Sequence, residues 1–261
     1  MRNRGKLKTF FKLKNTKNKA AICRVSDLIK NKFNPDTLID EFIRIDREVW
    51  LDITHDSSFL KTRDIVKSHF NICPQITYCA FVDGKMVATL TNMFTTNVDL
   101  KKNKTWIEKT GNGFLTTHIP NGDVGFGVDL AVTREAPKKV SDRLVLTAIF
   151  IGVLGEGLKS GHIGARIPGY HKHKHMKVED YVFGKRPNGK PLDPELYFYM
   201  KNGFEIVEII PNYMDDPESL NYGVLIKLDN PFYKVTRVLP FLKPIIRYVG
   251  EKLFLRVPKG A

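Results

Sequence analysis

One carboxylate, Asp129, stands in an alternating stretch, Phe126-Gly127-Val128-Asp129-Leu130-Ala131-Val132-Thr133, where its same-face neighbours Gly127 and Ala131 are small. Desolvation there should raise its pKa, which suits a proton acceptor or a holder of a cationic amine. It equally suits a structural acid hydrogen-bonded to the long stretch Thr96 to Asp123. A second chemical feature follows at once. The polar loop Arg134 to Val140 leads to Ser141-Asp142, a good helix N-cap with an acid in the first turn. A helix start reached directly from a strand offers unpaired N–H groups and partial positive charge, an anion site for which phosphate is the natural occupant. Lys138 and Lys139 add charge beside it, although the loop EAPKKVSD carries no glycine and an ordinary strand–helix crossover would read the same way. Arg166 could pair a substrate carboxylate through its planar fork, or form an internal salt bridge. His118 is a further candidate base. His171, His173 and His175 would share one side of an extended chain, but with no acid or cysteine nearby they read as a solvated basic loop rather than a metal site.

The elements that must position these groups can be read along the chain. Ala20 to Val25 predicts a first strand. Leu38, Phe42, Ile45 and Val49 recur at helical spacing, so a helix begins near Asn34 or Pro35 and runs to Leu51. A poorer helical segment covers Ser58 to His69. Gln75 to Val82 and Met86 to Met93 flank Asp83-Gly84-Lys85, a hairpin signal. Thr96 to Asp123 is polar and irregular, and a loop of that length is usually functional or mobile. The central strand follows, then a helix from Leu144 to Leu158 that is apolar almost all round and therefore buried. His162 to Ile167 predicts a short strand, Tyr170 to Pro191 a second polar excursion, and Asp193-Pro194 the start of a helix over Glu195 to Lys201, closed by Asn202-Gly203. Phe204 to Ile210 and Tyr222 to Leu228 complete the strands. This order predicts a mixed α/β sheet with helices on both faces.

Composition sets the limits. The 261 residues are 42% hydrophobic, enough for a proper core, and the longest apolar run, Leu144 to Leu154, is too short to span a bilayer. Three cysteines make neither a disulfide framework nor a zinc site, and the N-terminus lacks an apolar signal core, so a cytoplasmic location is expected. The net charge of +14 is confined to two tails: residues 1–19 hold eight Lys/Arg and no acid, and residues 232–261 hold seven Lys/Arg and one acid. Both tails interleave the cations with aromatic and aliphatic residues. They could favour an anionic membrane surface or an acidic carrier protein, with peripheral membrane association a corollary, or be simply an arm and a packed helix. No base-reading motif accompanies the charge, so nucleic acid is not expected. Three regions are expected: a basic arm over 1–19, a body over 20–230 and a basic amphipathic extension over 231–261.

Phe198-Tyr199-Met200-Lys201-Asn202-Gly203-Phe204 looks like a helix ending in a tyrosine shortly before a Gly-Phe, and together with the central strand–loop–helix it resembles the GNAT superfamily of acyl-CoA-dependent N-acetyltransferases. Thr105-Trp106-Ile107-Glu108-Lys109-Thr110-Gly111-Asn112-Gly113 and Ala165-Arg166-Ile167-Pro168-Gly169-Tyr170-His171 are similar to a GNAT subgroup often fused to a carbon–nitrogen hydrolase. The chain is too short to include that partner, so hydrolase activity is not implied. The likeness spans roughly residues 20–230. It implies a mostly antiparallel sheet splayed between its fourth and fifth strands, and acetyl-CoA or another acyl-CoA as donor with no metal. It also implies transfer to the amine of a small molecule by direct attack on the thioester. On the matching positions, Tyr199 would protonate the leaving sulfur and backbone amides near Leu130 and Val132 would polarise the carbonyl; Asp129, or less favourably His118, remains the candidate base on its own surroundings. Lys138, Lys139, Val140, Ser141 and Asp142 would take the pyrophosphate, in a segment where the family's two glycines are replaced. The alternatives are a membrane-associated or carrier-protein-dependent acyltransferase, and a GNAT-fold binding module without catalysis.

Overall fold

The computed structural model describes residues 20–53, 59–102 and 104–256, so the basic arm expected over 1–19 lies outside the described residues. Strand β1 (Ala21–Arg24) is wholly buried and passes into helix α1 (Val25–Lys30). Helix α2 (Pro35–Trp50) starts where its chemistry directs: the Asn34 side chain accepts from the Asp36 N–H at 2.8 Å and Pro35 occupies the first turn. Helix α3 (Arg63–Ile72) begins later than the Ser58 expected, because Thr62 caps it by accepting from the Ile65 N–H at 3.3 Å. Strands β2 (Tyr78–Val82) and β3 (Lys85–Thr95) turn through Asp83 and Gly84, both at positive φ, the geometry a two-residue hairpin turn requires. The stretch expected to be irregular contains two short helices, α4 (Asn97–Lys102) and α5 (Trp106–Thr110). α5 is held by a reciprocal capping box between Thr105 and Glu108, too short to display a helical period.

Strand β4 (Val124–Val132) leads to α6 (Val140–Thr147), which continues as a π-helix over Ala148–Gly155. The cap expected at Ser141-Asp142 falls instead at Lys139, in the left-handed conformation at φ 76°. The reason is Val140, which is buried in the core and must enter the helix, leaving Lys139 to take a turn usually given to glycine. There follow β5 (Ser160–Ala165), α7 (Val178–Phe183), α8 (Pro194–Met200), β6 (Glu205–Ile210), β7 (Gly223–Asp229), α9 (Tyr233–Val238) and α10 (Leu242–Phe254).

The seven strands form one sheet in the order β1-β2-β3-β4-β5-β7-β6, antiparallel throughout except for the parallel β4–β5 pair. α1, α2 and α3 cover one face through Leu28, Phe42 and Phe70, and α6, the π-helix and α8 cover the other through Leu144, Ile149 and Leu196. β4 and β5 pair only from Val124↔Ser160 to Gly127↔Ile163. Beyond that point β5 runs on beside β7 alone, so the sheet opens between its fourth and fifth strands as expected. α10 packs on the π-helix, with Phe254 5.2 Å from Phe150 between ring centroids, and the Arg256 N–H donates to the Ile22 carbonyl at 2.8 Å.

Candidate active site

The opening between β4 and β5 gives backbone groups something to do. The Thr133 N–H donates to the Val87 carbonyl on the β3 side at 2.9 Å. Because backbone groups alternate across a strand, those of Leu130 and Val132 point the other way, into the opening. The Val128 carbonyl on that side accepts from Trp106 Nε1 at 2.9 Å. A register shift against Thr91 and Asn92 bulges β4 at Val128, and such a bulge re-aims the side chains that follow. A cavity of about 150 Å³ runs through the opening to both faces of the sheet. Its apolar end is lined by Val145, Ile149, Gly152, Val153 and Leu158, and a Cβ added to Gly152 would meet nothing within 4 Å.

Asp129 lines the same cavity. Its partners come not from the stretch 96–123 but from the α2 side: Trp50 Nε1 donates to Oδ1 at 3.1 Å and Lys61 Nζ to Oδ2 at 2.8 Å. Lys61 also reaches Asp46 at 2.5 Å, and its own N–H donates to the second Asp46 oxygen at 2.7 Å. Burial favours the neutral amine of Lys61, but the two carboxylates outweigh it and raise its pKa, so the ammonium persists. Burial raises the pKa of Asp129 and Lys61 opposes the rise.

Helix α8 supplies a second pair. Asp193 caps it, accepting from the Glu195 and Leu196 N–H groups at 2.8 and 3.1 Å, with Pro194 at the first position. Glu195 and Tyr199, four residues apart, therefore share a face and both line the cavity. Glu195 Oε2 is buried with no hydrogen-bond partner. Burial pushes the carboxyl up to about 8, against the pull of Arg166. The Tyr199 hydroxyl is raised above its ordinary value by burial first and by Glu195 second. Sequence reasoning passed over Glu195, Lys61 and Asp46. For Glu195 a signal was available in its spacing to Tyr199; for the other two the contacts are made only by the fold.

Two further candidates are already engaged. Arg166 lines the cavity, but its Nε and Nη2 donate to Asp216 at 2.7 and 2.8 Å and Nη2 also to Glu218 at 2.9 Å, while its guanidinium lies 5.3 Å from the Trp50 ring centroid. The internal salt bridge is the arrangement formed. His118 is not among the cavity residues; its Nδ1 accepts from the Phe94 N–H at 3.0 Å, and burial lowers its pKa. The His171 ring is bonded to the Pro168 carbonyl at 2.8 Å, and His173 stacks on Tyr181 at 5.2 Å. Among the described residues no group of three His, Cys, Asp or Glu is placed to hold a metal ion.

At the start of α6 the bulky and acidic side chains turn aside. Val140 packs inward with Ile22 and Leu144, and its N–H is taken by the Pro137 carbonyl at 3.2 Å. Asp142 is neutralised by Lys201 Nζ at 2.7 Å, with Asn202 beside it. Lys138 and Lys139 are exposed. Ser141 lines a second cavity shared with Val132, Glu195 and Tyr199, so the helix start and the α8 pair open onto common space.

No family model matches the chain. It is 29% identical over 180 residues to the uncharacterized N-acetyltransferase YkwB of Bacillus subtilis, an alignment covering 67% of this chain and 77% of that one. It is 27% identical over 213 residues to the probable hydrolase YhcX of the same organism, covering 74% of this chain but only 39% of that longer protein. Among solved structures, the loading GNATL domain of CurA from Lyngbya majuscula superposes with TM-score 0.66 at 18% identity, over 81% of this chain and 98% of that domain. The GphF GNAT-like decarboxylase in complex with isobutyryl-CoA superposes with TM-score 0.61 at 19% identity, over 76% and 96%. The sheet order, the opening between β4 and β5 and these likenesses agree: this chain has the GNAT fold and is related in sequence to a curated N-acetyltransferase.

Proposed function

We infer that the protein is an acyl-CoA-dependent N-acyltransferase that acylates the amine of a small molecule by direct attack on the thioester. The observation that carries this reading is the Glu195–Tyr199 pair, a buried carboxyl with an unpartnered oxygen and a tyrosine on the same helix face, lining the opening in the sheet. The fold alone does not choose a reaction, since one neighbour of the same fold is a decarboxylase.

Acyl-CoA supplies the activated carbonyl and a thiolate leaving group. In this reading the Leu130 and Val132 amides polarise that carbonyl, and the amides of Ser141 and Asp142 with Lys138 and Lys139 receive phosphate. Asp129, which lines the cavity beside Trp50 and Lys61, is the group to hold the substrate amine. Glu195 is the better base, for a reason of magnitude. Both Asp129 oxygens accept charge-assisted or indole hydrogen bonds worth about 1–3 kcal/mol each, which proton uptake would weaken. Glu195 Oε2 has none to lose, and a pKa near working pH suits proton transfer. Tyr199 then donates its hydroxyl proton to the departing sulfur, and Glu195 stands on the same face to restore it.

The test is thiol release from acetyl-CoA and longer acyl-CoA thioesters across a panel of primary amines, with calorimetry of CoA binding alongside. Amine-dependent, saturable release is expected. Saturable CoA binding without release would leave a ligand-binding module, and no CoA binding would remove the donor site altogether.

A further inference from the structure

The C-terminal segment is amphipathic with its apolar side outward. Along α10, Arg247 and Gly250 face the body, the latter against Phe150 and Ile151. On the opposite side Phe241, Ile245, Tyr248, Val249 and Leu253 stand between 46 and 61% exposed. Spaced three or four residues apart, they form one stripe. α9 extends it with Val235 and Val238, the latter 78% exposed. A soluble helix normally shows water the reverse arrangement. The border of the stripe is cationic: Lys234, Arg237, Lys252 and Arg256 are all exposed. The single acid in the two helices, Glu251, turns inward to Arg24 and Arg247, so no carboxylate faces out with the stripe.

We propose that this face docks on an anionic lipid surface, with α10 lying in the plane of the headgroups. The chemistry selects that occupant. A second copy paired face to face would set arginines and lysines against their own images. The N-terminal arm, eight cations and no acid, carries the same sign. Exposed large apolar side chains, with cations along the edge and a tyrosine among them, match the headgroup–acyl boundary, where apolar burial and attraction to anionic lipid add. Thirteen residues of helix span about 20 Å, too short to cross a bilayer, and among the described residues no helix is long and apolar enough to do so. This surface is independent of the reaction inferred above, since no residue on it lines the cavity.

The full-length protein is sedimented with phosphatidylcholine vesicles with and without phosphatidylserine, at low and high salt, together with the variants Ile245→Glu/Leu253→Glu and Arg237→Glu/Lys252→Glu. All four positions are exposed, so melting temperature should hold and report intact folding. Binding to the anionic vesicles, weakened by salt and reduced roughly tenfold or more by either pair, is the expected result. Failure to bind, or binding that the Ile245→Glu/Leu253→Glu variant leaves unchanged, would overturn the proposal. So would wild-type self-association that the same variant abolishes, or saturable capture by an acidic carrier protein in the absence of vesicle binding.

Discussion

Glu195 holds its proton at pH values where a solvated carboxyl has lost it, because burial raises it to about 8 from an ordinary 4.5. Activity that needs the ionised base should therefore rise through a limb near pH 8, and Glu195→Gln should abolish the limb and lower turnover about 10²-fold or more, with CoA affinity retained. A merely structural Glu195 would leave the pH profile in place. The stability sign follows from the same shift. A raised carboxyl pKa makes the folded state lose stability as pH climbs from the unfolded value through 8, so Glu195→Gln should stabilise the fold more at pH 9 than at pH 6, by an unfolding free energy on the order of a few kcal/mol, read in thermal or denaturant unfolding at the two pH values. Tyr199→Phe is the companion measurement. It removes the proposed proton donor while keeping the ring packed against Phe198 and Phe204, so turnover should fall more than thioester affinity changes. Equal turnover would leave Tyr199 a packing residue.

The π-helix tests the cavity it lines. Gly152 sits in a helix interior where glycine costs about 1 kcal/mol relative to alanine, and an added Cβ meets nothing within 4 Å. Gly152→Ala should therefore stabilise by about 0.5–1 kcal/mol in thermal unfolding. Gly152→Leu should instead fill the void and lower kcat/KM for butyryl-CoA more than for acetyl-CoA; equal effects on both would show that the acyl group lies elsewhere. Elements of this kind also mark what the sequence makes legible. β4 was readable because alternation over Phe126 to Thr133 is long and clean, and α2 because apolar spacing and a cap agree. The true start of α6 was not, since Ser141-Asp142 is good cap chemistry that lost to the burial of Val140. α4 and α5 are too short to carry a period. The trio around Asp129 escapes local reading entirely, because Lys61 lies 68 residues from Asp129 and 15 from Asp46 and meets both only through α2 and β4 packing.

Across the whole molecule, one ionic network joins the C-terminal segment to the opposite end of the chain. Arg24, at the end of β1, is buried and pairs with Glu251 of α10, which also accepts from Arg247 at 3.1 Å, and Arg247 reaches Glu156 after the π-helix at 2.6 Å. Leu255 bridges Ile22 beside it, so the segment that carries the exposed stripe is fastened to the sheet edge rather than trailing from it. Removing the Glu251 charge would leave the buried Arg24 guanidinium with only the more distant Asp27, 3.9 Å from its Nε. The Glu251 side chain is itself about one-third exposed, so the full 3–5 kcal/mol of a broken buried pair is discounted for solvent to about 2 kcal/mol. Glu251→Gln should lower stability by that amount while unfolding stays a single transition. Two separate transitions would show instead that α10 folds independently of the sheet. The pH dependence gives a second reading of the same bond: hydrogen bonds and cations hold the Glu251 carboxyl below its ordinary 4.5. Its contribution is then complete above that value and lost as pH falls through the depressed one, so the wild-type advantage over Glu251→Gln should shrink on acidification.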